Sequence, residues 1–173
     1  MEGLKKKIFN KDVQWTFFFN IKLRCKFLDK TLPALTCIGS AAVTVSICFL
    51  LIGIGSARVR NAGAAALASL AVSHIIVEIV KRNVCRKRPK DVLEEINAFN
   101  VPIDLYSFPS GHSTAIFSIA VTVSLHMPFM AFLVLPAALM VGLSRVYLGV
   151  HYLSDVIAGI VLASATSVFI YLI

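Results

Sequence analysis

Two imidazoles, an aspartate, three cations and a Ser-Gly pair carry the chemistry open to this 173-residue chain. They fall in three short stretches: "KRNVCRKRP" from Lys81 to Pro89, "PSGH" from Pro109 to His112, and "SRVYLGVHYLSD" from Ser144 to Asp155. Lys81, Arg88 and Arg145 together want a ligand carrying two or more negative charges, and guanidinium forks match phosphate oxygens in a bidentate way. Pro109 marks a helix start, so the free amides around Ser110, Gly111 and His112 form a second anion site that the helix dipole favours. Gly111 lets the backbone come close to a ligand. Phosphate fits this set best.

His151 and Asp155 lie four residues apart, and on one helix such side chains are neighbours. An aspartate accepting from one ring nitrogen fixes the tautomer and leaves the other nitrogen free to attack. His112, the second imidazole, is a natural general acid for a departing oxygen. Two histidines and an aspartate could instead hold zinc. Three fixed cations around a divalent metal are electrostatically unfavourable, so neither a metal nor another cofactor is expected.

What positions these residues follows from composition. Hydrophobic residues make up 58% of the chain and charged ones 15%, against about 25% charged in soluble domains. That is too little polar surface for a water-facing globule. The net charge of +8 suits anionic lipid or a phosphorylated substrate. No basic patch interleaved with aromatics and no zinc-finger spacing points to nucleic acid. The four cysteines form no CxxC pair, and Cys37 and Cys48 read as small packing residues. The first thirty residues lack the apolar core and cleavage site of a signal peptide.

Apolar runs of spanning length fall at about 32–54, 61–80, 110–127, 129–148 and 151–173. The expectation is therefore an all-α polytopic membrane helix bundle with about five transmembrane helices, one domain over residues 1–173. The second run is rich in Ala, Ser and Gly, which permits close backbone approach and places it centrally. Residues 1–30 mix aromatics with Lys22, Arg24 and Lys26, cations too costly for mid-bilayer. They read as an interfacial segment ahead of a catalytic core at 31–173, with Trp15, Phe17, Phe18 and Phe19 dipping into lipid. The one long loop, about 81–109, carries Val92, Ile96 and Phe99 at helical spacing, which predicts a short surface helix. Glu94, Glu95 and Asp104 read as solvated loop charges, and Glu78 as a partner for Lys81 or Arg82.

Five spans with short connections bring Lys81, Arg88, Ser110, His112, Ser144, Arg145, His151 and Asp155 to one membrane face. Positive-inside topology accounts for Lys5, Lys6 and Lys7, but not for histidines, an arginine and an aspartate at helix ends.

At these residues the sequence resembles the type 2 phosphatidic acid phosphatase family, whose pattern is KxxxxxxRP, PSGH and SRxxxxxHxxxD. All fixed positions match, in order and spacing. The resemblance implies metal-independent phosphomonoester or diphosphate hydrolysis through a phosphohistidine. It implies His151 as nucleophile, Asp155 as its partner and His112 as proton donor. Lys81, Arg88, Ser110, Gly111 and Arg145 would hold the phosphoryl oxygens. The implied partner is a membrane lipid phosphate, first undecaprenyl diphosphate, then phosphatidic acid or phosphatidylglycerol phosphate. A non-enzymatic lipid or anion transporter using the same pocket is the rival, opposed by the complete nucleophile–partner pair. Every Lys and Arg except Arg58 and Arg60 falls on the active face, which alone would make that face cytoplasmic. The family precedent is a bacterial cell-membrane enzyme with an extracytoplasmic active face, and it is preferred because part of that charge is catalytic. Oligomeric state is not legible.

Overall fold

The computed structural model describes residues 2–97, 99 and 104–173. Among the described residues seven α-helices run in chain order: α1 Glu2–Phe17, α2 Lys26–Thr36, α3 Ala41–Ile54, α4 Ala57–Val84, α5 Gly111–His126, α6 Ala131–Tyr147 and α7 Leu153–Leu172. No strand occurs among the described residues. The chain is a membrane helix bundle, as its apolar runs predict.

Among the described residues, three segments are long and apolar enough to cross a bilayer: Ala57–Asp91, Pro128–Tyr147 and Leu153–Leu172. The first expected span is broken. Lys26–Gly39 and Ala41–Ile54 meet at 58°, and the count reaches four only when this bent pair is taken as one span. The break has a local cause. Ser40 is extended and its Oγ accepts from the Val43 N–H, starting a new helix inside the apolar run. A Cβ built on Gly39 would lie 3.0 Å from the His112 carbonyl oxygen and 2.9 Å from Val141 Cγ1. The bend therefore presses the chain against α5.

The expected span at 110–127 is α5, whose 16 residues reach only about 24 Å at 1.5 Å per residue. It is not among the segments long enough to cross, so the five expected spans become three, or four with the bent pair. α5 can be short because it is the bundle's axis, packed by α4, α6 and α7 and touched by α3. Thr114, Ser118 and Thr122 are buried on it. α4 packs against it through a small-residue face on which Ala62, Ala66, Ser69 and Ser73 are fully buried. Hydroxyls bridge these helices: Ser69 to Ser167 at 2.9 Å, Ser73 to Ser118 at 3.1 Å, and Ser167 to the Ser118 carbonyl at 3.2 Å. In lipid, close backbone approach and such bonds hold helices together where burial of apolar surface cannot. At Gly159 of α7 a Cβ would stand 2.9 Å from both the Ser110 carbonyl and Thr114 Oγ1, so α7 crosses the start of α5 at backbone contact.

The first residues form α1 and then a π-turn over Phe18–Lys22. They leave Trp15 and Phe18 exposed but pack the opposite side of α1 on α6 and α7. Asn20 is fully buried and stitches three pieces together. Its amide donates to the Tyr147 carbonyl at 2.7 Å and the Asn97 carbonyl at 3.0 Å, and its oxygen accepts from Asn97 N–H at 2.7 Å. The expected loop helix does not form over the described residues. Pro89–Asp91 makes one 3₁₀ turn and 92–97 continue as turns, with Ala98 and residues 100–103 outside the described residues. Ile96 is buried against Gly149, so tertiary packing, not an amphipathic face, uses this spacing.

Candidate active site

The residues picked out by spacing lie at one end of the bundle, delivered by four helix ends and two loops. Lys81 comes from the last turn of α4, and Arg88 from the strand-like residue just before the 3₁₀ turn. Both are buried. Gly111 and His112 open α5, and a Cβ on Gly111 would stand 3.5 Å from Lys81 Nζ. Arg145 ends α6, 1% exposed, with Nη1 donating to Thr36 Oγ1 at 2.8 Å; its Nε has no partner among the described residues.

The chain turns from α6 to α7 through Gly149, whose φ of +68° favours glycine. His151 follows in this turn, and α7 begins only at Leu153. His151 and Asp155 are therefore not on one helix, which corrects the spacing argument. The His151 N–H donates to the Arg145 carbonyl at 3.2 Å, tying the nucleophile candidate to the neighbouring cation through the main chain.

Nδ1 of His151 lies 2.7 Å from the Ser107 carbonyl but 3.6 Å from Asp155 Oδ2. A carbonyl only accepts, so Nδ1 carries the proton and Nε2 keeps its lone pair. Arg88 Nη1 donates to that Nε2 at 3.1 Å. The group orienting the ring is thus the Ser107 carbonyl, not the aspartate. Asp155 is otherwise engaged. As the third residue of α7 it turns back on its own helix start, Oδ2 accepting from the Tyr152 N–H at 2.8 Å. Burial pushes the His151 imidazole down from 6.5 to about 4, Arg145 and Arg88 act the same way, and Asp155 opposes them.

Ser110 has a structural task. Its Oγ caps α5, accepting from Ser113 N–H at 3.4 Å and Ser113 Oγ at 2.9 Å, while its own N–H donates to the Asp155 carbonyl at 3.0 Å. The Gly111 and His112 N–H groups are the donors of this helix start that point at no acceptor among the described residues.

Spacing did not reveal Asp12, Arg86, Asp104 and Ser107. Arg86 Nη1 donates to Asp155 Oδ1 at 2.6 Å and to Ser154 Oγ at 2.8 Å; its Nη2 donates to Asp12 Oδ2 at 2.8 Å. The guanidinium lies 4.0 Å from the Tyr152 ring centre. Asp12 in turn caps α7, accepting from Ser154 N–H at 3.0 Å. The supposed interfacial segment thereby supplies a buried carboxylate that braces the site. A signal existed: Asp12 is the lone acid between Glu2 and Asp29 in a basic stretch.

Asp104, expected as a solvated loop charge, is instead bound by Lys81 Nζ and Arg88 Nη2. Glu94 and Glu95 are exposed. Burial opposes ionisation of Asp104, but the Lys81 hydrogen bond and the Lys81 and Arg88 charges outweigh it and hold its carboxyl below the usual range. Glu78 stands 3.9 Å from Lys81, a looser pair than expected.

A cavity of about 310 Å³ leads from Lys81, Asp104 and His112 down between α3, α4 and α5. Val45, Leu67, Leu70 and Ala115 line its depth. It is polar at the loop end and mostly apolar along the helices, where His74 and Glu78 of α4 are the polar lining residues.

Residues 62–173 match the PAP2 superfamily. The chain belongs to that family. Among PAP2 relatives, it is 34% identical over 108 residues to an undecaprenyl-diphosphatase of Sulfolobus acidocaldarius, covering 62% of this chain and 52% of that one. It is 36% identical over 123 residues to a decaprenylphosphoryl-5-phosphoribose phosphatase of Mycobacterium tuberculosis, covering 70% and 66%. A phosphatidylglycerophosphatase B of Bacillus subtilis is 28% identical over 152 residues, covering 80% and 71%. The chain thus spans about half to two-thirds of the length of the first two of these curated relatives. The PAP2 fold itself extends almost end to end. LpxE of Aquifex aeolicus superposes with a TM-score of 0.82 at 23% identity over 92% of this chain and 94% of that one. A transmembrane PAP2-type phosphatidylglycerolphosphate phosphatase of B. subtilis gives 0.78 at 24% identity, over 95% and 85%.

Proposed function

We propose that this PAP2 protein is an integral membrane phosphatase that removes a terminal phosphate from a lipid phosphate or diphosphate, by a phosphohistidine route and without a metal. The observation that carries this reading is the state of His151: Nδ1 is held by a carbonyl, and the lone pair on Nε2 faces Arg88 beside Lys81. In the first step Nε2 attacks phosphorus. The bond from phosphorus to the leaving oxygen breaks, and His112 gives that oxygen its proton. Lys81, Arg88, Arg145 and the amides of Gly111 and His112 stabilise the charge on the transferring group. Ser110 acts by fixing the helix start that presents those amides. In the second step His112 takes a proton from water, the water oxygen bonds to phosphorus, and the phosphorus–nitrogen bond breaks. Asp155 balances the charge that the ring gains at a separation of 3.6 Å.

A lipid fits the cavity, whose walls along α3, α4 and α5 are apolar except at His74 and Glu78 and whose loop end carries Lys81, Asp104 and His112. Undecaprenyl diphosphate is the preferred substrate, supported by relatives that act on polyprenyl carriers; phosphatidic acid or phosphatidylglycerol phosphate is the alternative. The test is phosphate release by the purified chain from each lipid, with chelator present. His151→Ala should abolish release from all of them. Release that survives in His151→Ala, or that chelator removes, would sink the mechanism. No release from any lipid by the intact chain would leave a transporter or binding protein as the reading. The active face is proposed to be extracytoplasmic in a bacterial cell membrane. Lys87 is exposed on that face, so Lys87→Cys in a cysteine-free chain should react with an impermeant thiol reagent added to intact cells. Protection until the cells are broken would reverse the orientation.

A further inference from the structure

Asp104 lies where the preceding reading needs an anion to go. Its two carboxylate oxygens are shared between Lys81 and Arg88. Arg88 has no donor to spare while this holds. Its Nε donates to the Asp104 carbonyl at 3.0 Å and Nη1 to the Val150 carbonyl at 2.7 Å and to His151 Nε2. Nη2 donates to the Tyr106 carbonyl at 2.9 Å and to Asp104 Oδ1. Four of these acceptors are main chain or the nucleophile itself. The carboxylate is the one partner that can leave. It can also leave easily, because the Asp104 side chain is 50% exposed whereas those of Lys81 and Arg88 are 7% and 1%. Rotating it out returns it to water; the cations cannot follow.

We propose that Asp104 is a specificity residue, an internal one-charge anion that a phosphate must displace and that thereby admits monoesters and diphosphates while rejecting phosphodiesters. The proposal rests on the phosphatase reading above. A phosphodiester headgroup, like a carboxylate, carries one negative charge, so exchanging one for the other gains no Coulomb energy at the two cations. A monoester near neutral pH carries between one and two, and a terminal diphosphate more. Each extra charge within about 4 Å of two buried cations is strongly favoured. Without such an occupant, a site with three cations facing a bilayer would fill with the diester lipids around it. Discrimination here comes from a competitor built into the pocket, not from shape.

The test uses the full chain in detergent micelles and hydrolysis of a short-chain phosphatidic acid, with phosphatidylglycerol as diester competitor. For the intact chain we expect no inhibition beyond surface dilution. For Asp104→Asn we expect competitive inhibition with Ki lower by roughly tenfold or more, and for Asp104→Glu intact-like behaviour. An unchanged Ki in Asp104→Asn would overturn the proposal. So would a loss of affinity for phosphatidic acid in that variant, since Asp104 would then be holding the cations in place for substrate. Folding of the variant is bypassed by a second measurement on the intact chain: carbodiimide coupling at Asp104, followed by peptide mass spectrometry. Orthovanadate, which takes the same cations, should raise labelling several-fold by freeing the carboxylate; unchanged or reduced labelling would overturn the displacement. Absence of phosphate release by the intact chain would instead refute the phosphatase reading.

Discussion

Removing Arg86 tests whether the N-terminal helix braces the site or merely covers it. Its guanidinium makes three bonds of 2.6–2.8 Å to Asp155, Ser154 and Asp12, and hydrogen bonds to charged groups each contribute about 1.5–3 kcal/mol. The gross loss in Arg86→Met overstates the net effect. Asp155 keeps the Tyr152 N–H and Asp12 keeps the Ser154 N–H, and the Arg86 side chain is 21% exposed. Both carboxylates are nevertheless buried, and stripping one partner from a buried pair costs about 3–5 kcal/mol. We predict a loss near 3 kcal/mol for Arg86→Met. Arg86→Lys should lose about half of that, because an ammonium is a point charge and cannot serve Asp12 and Asp155 in the same fork. Asp12→Asn should cost about 1.5 kcal/mol, and the double variant Arg86→Met with Asp12→Asn about 3. The cycle then gives a coupling near 1.5 kcal/mol. Reversible unfolding in mixed micelles, titrated with a denaturing detergent, measures all four. Phosphate-release kinetics supply the second readout. kcat should fall about tenfold, near 1.4 kcal/mol, with KM unchanged, because Arg86 touches Asp155 and none of the cations proposed to bind phosphate. Additivity within about 0.5 kcal/mol, or an unchanged kcat, would refute the brace.

Nitrogen NMR of labelled His151 should show a neutral ring with the proton on Nδ1 down to about pH 4; a midpoint near 6.5 would contradict the burial argument. Since the folded-state value lies below 6.5, the unfolded chain takes the proton first, so stability should decline as pH falls from 6.5 toward 4 and stay level above. Asn20→Ala leaves the buried Tyr147 carbonyl and Asn97 N–H without their partner, and unfolding should show a loss of about 2–3 kcal/mol. Gly159→Ala drives a methyl against the Ser110 carbonyl; a loss of about 1–3 kcal/mol and a lower kcat are expected, with a neutral result arguing that α7 can retreat from α5.

The three motifs and the membrane helix bundle were legible because each is written locally, as fixed residues at fixed spacing and apolar runs. The count of five spans was not, since three segments are long enough to cross, or four with the bent pair. What spacing could not carry was the identity of partners far apart in sequence. Asp12 meets Ser154 and Arg86 meets Asp155, and no periodicity encodes such pairs. The excess of 17 Lys and Arg over 9 acids did imply that buried cations would compete for few carboxylates, and Asp104 and Asp155 are where that competition is decided. The broken first span was also within reach, since Gly39-Ser40 ahead of an apolar run is a helix-start signal. The His151–Asp155 geometry was not. Four-residue spacing promises adjacency only inside a helix, and α7 starts two residues after the histidine.

The tie between Asp12 and Ser154 spans 142 residues, and that between Thr36 and Arg145 spans 109. Arg86 can reach Asp12 earlier, but the contact of Asp12 with Ser154 waits until α7 has been threaded into the bilayer. Assembly of the constellation therefore depends on α7, so a chain stalled before α7 inserts carries the motifs of PAP2 without the geometry that joins them.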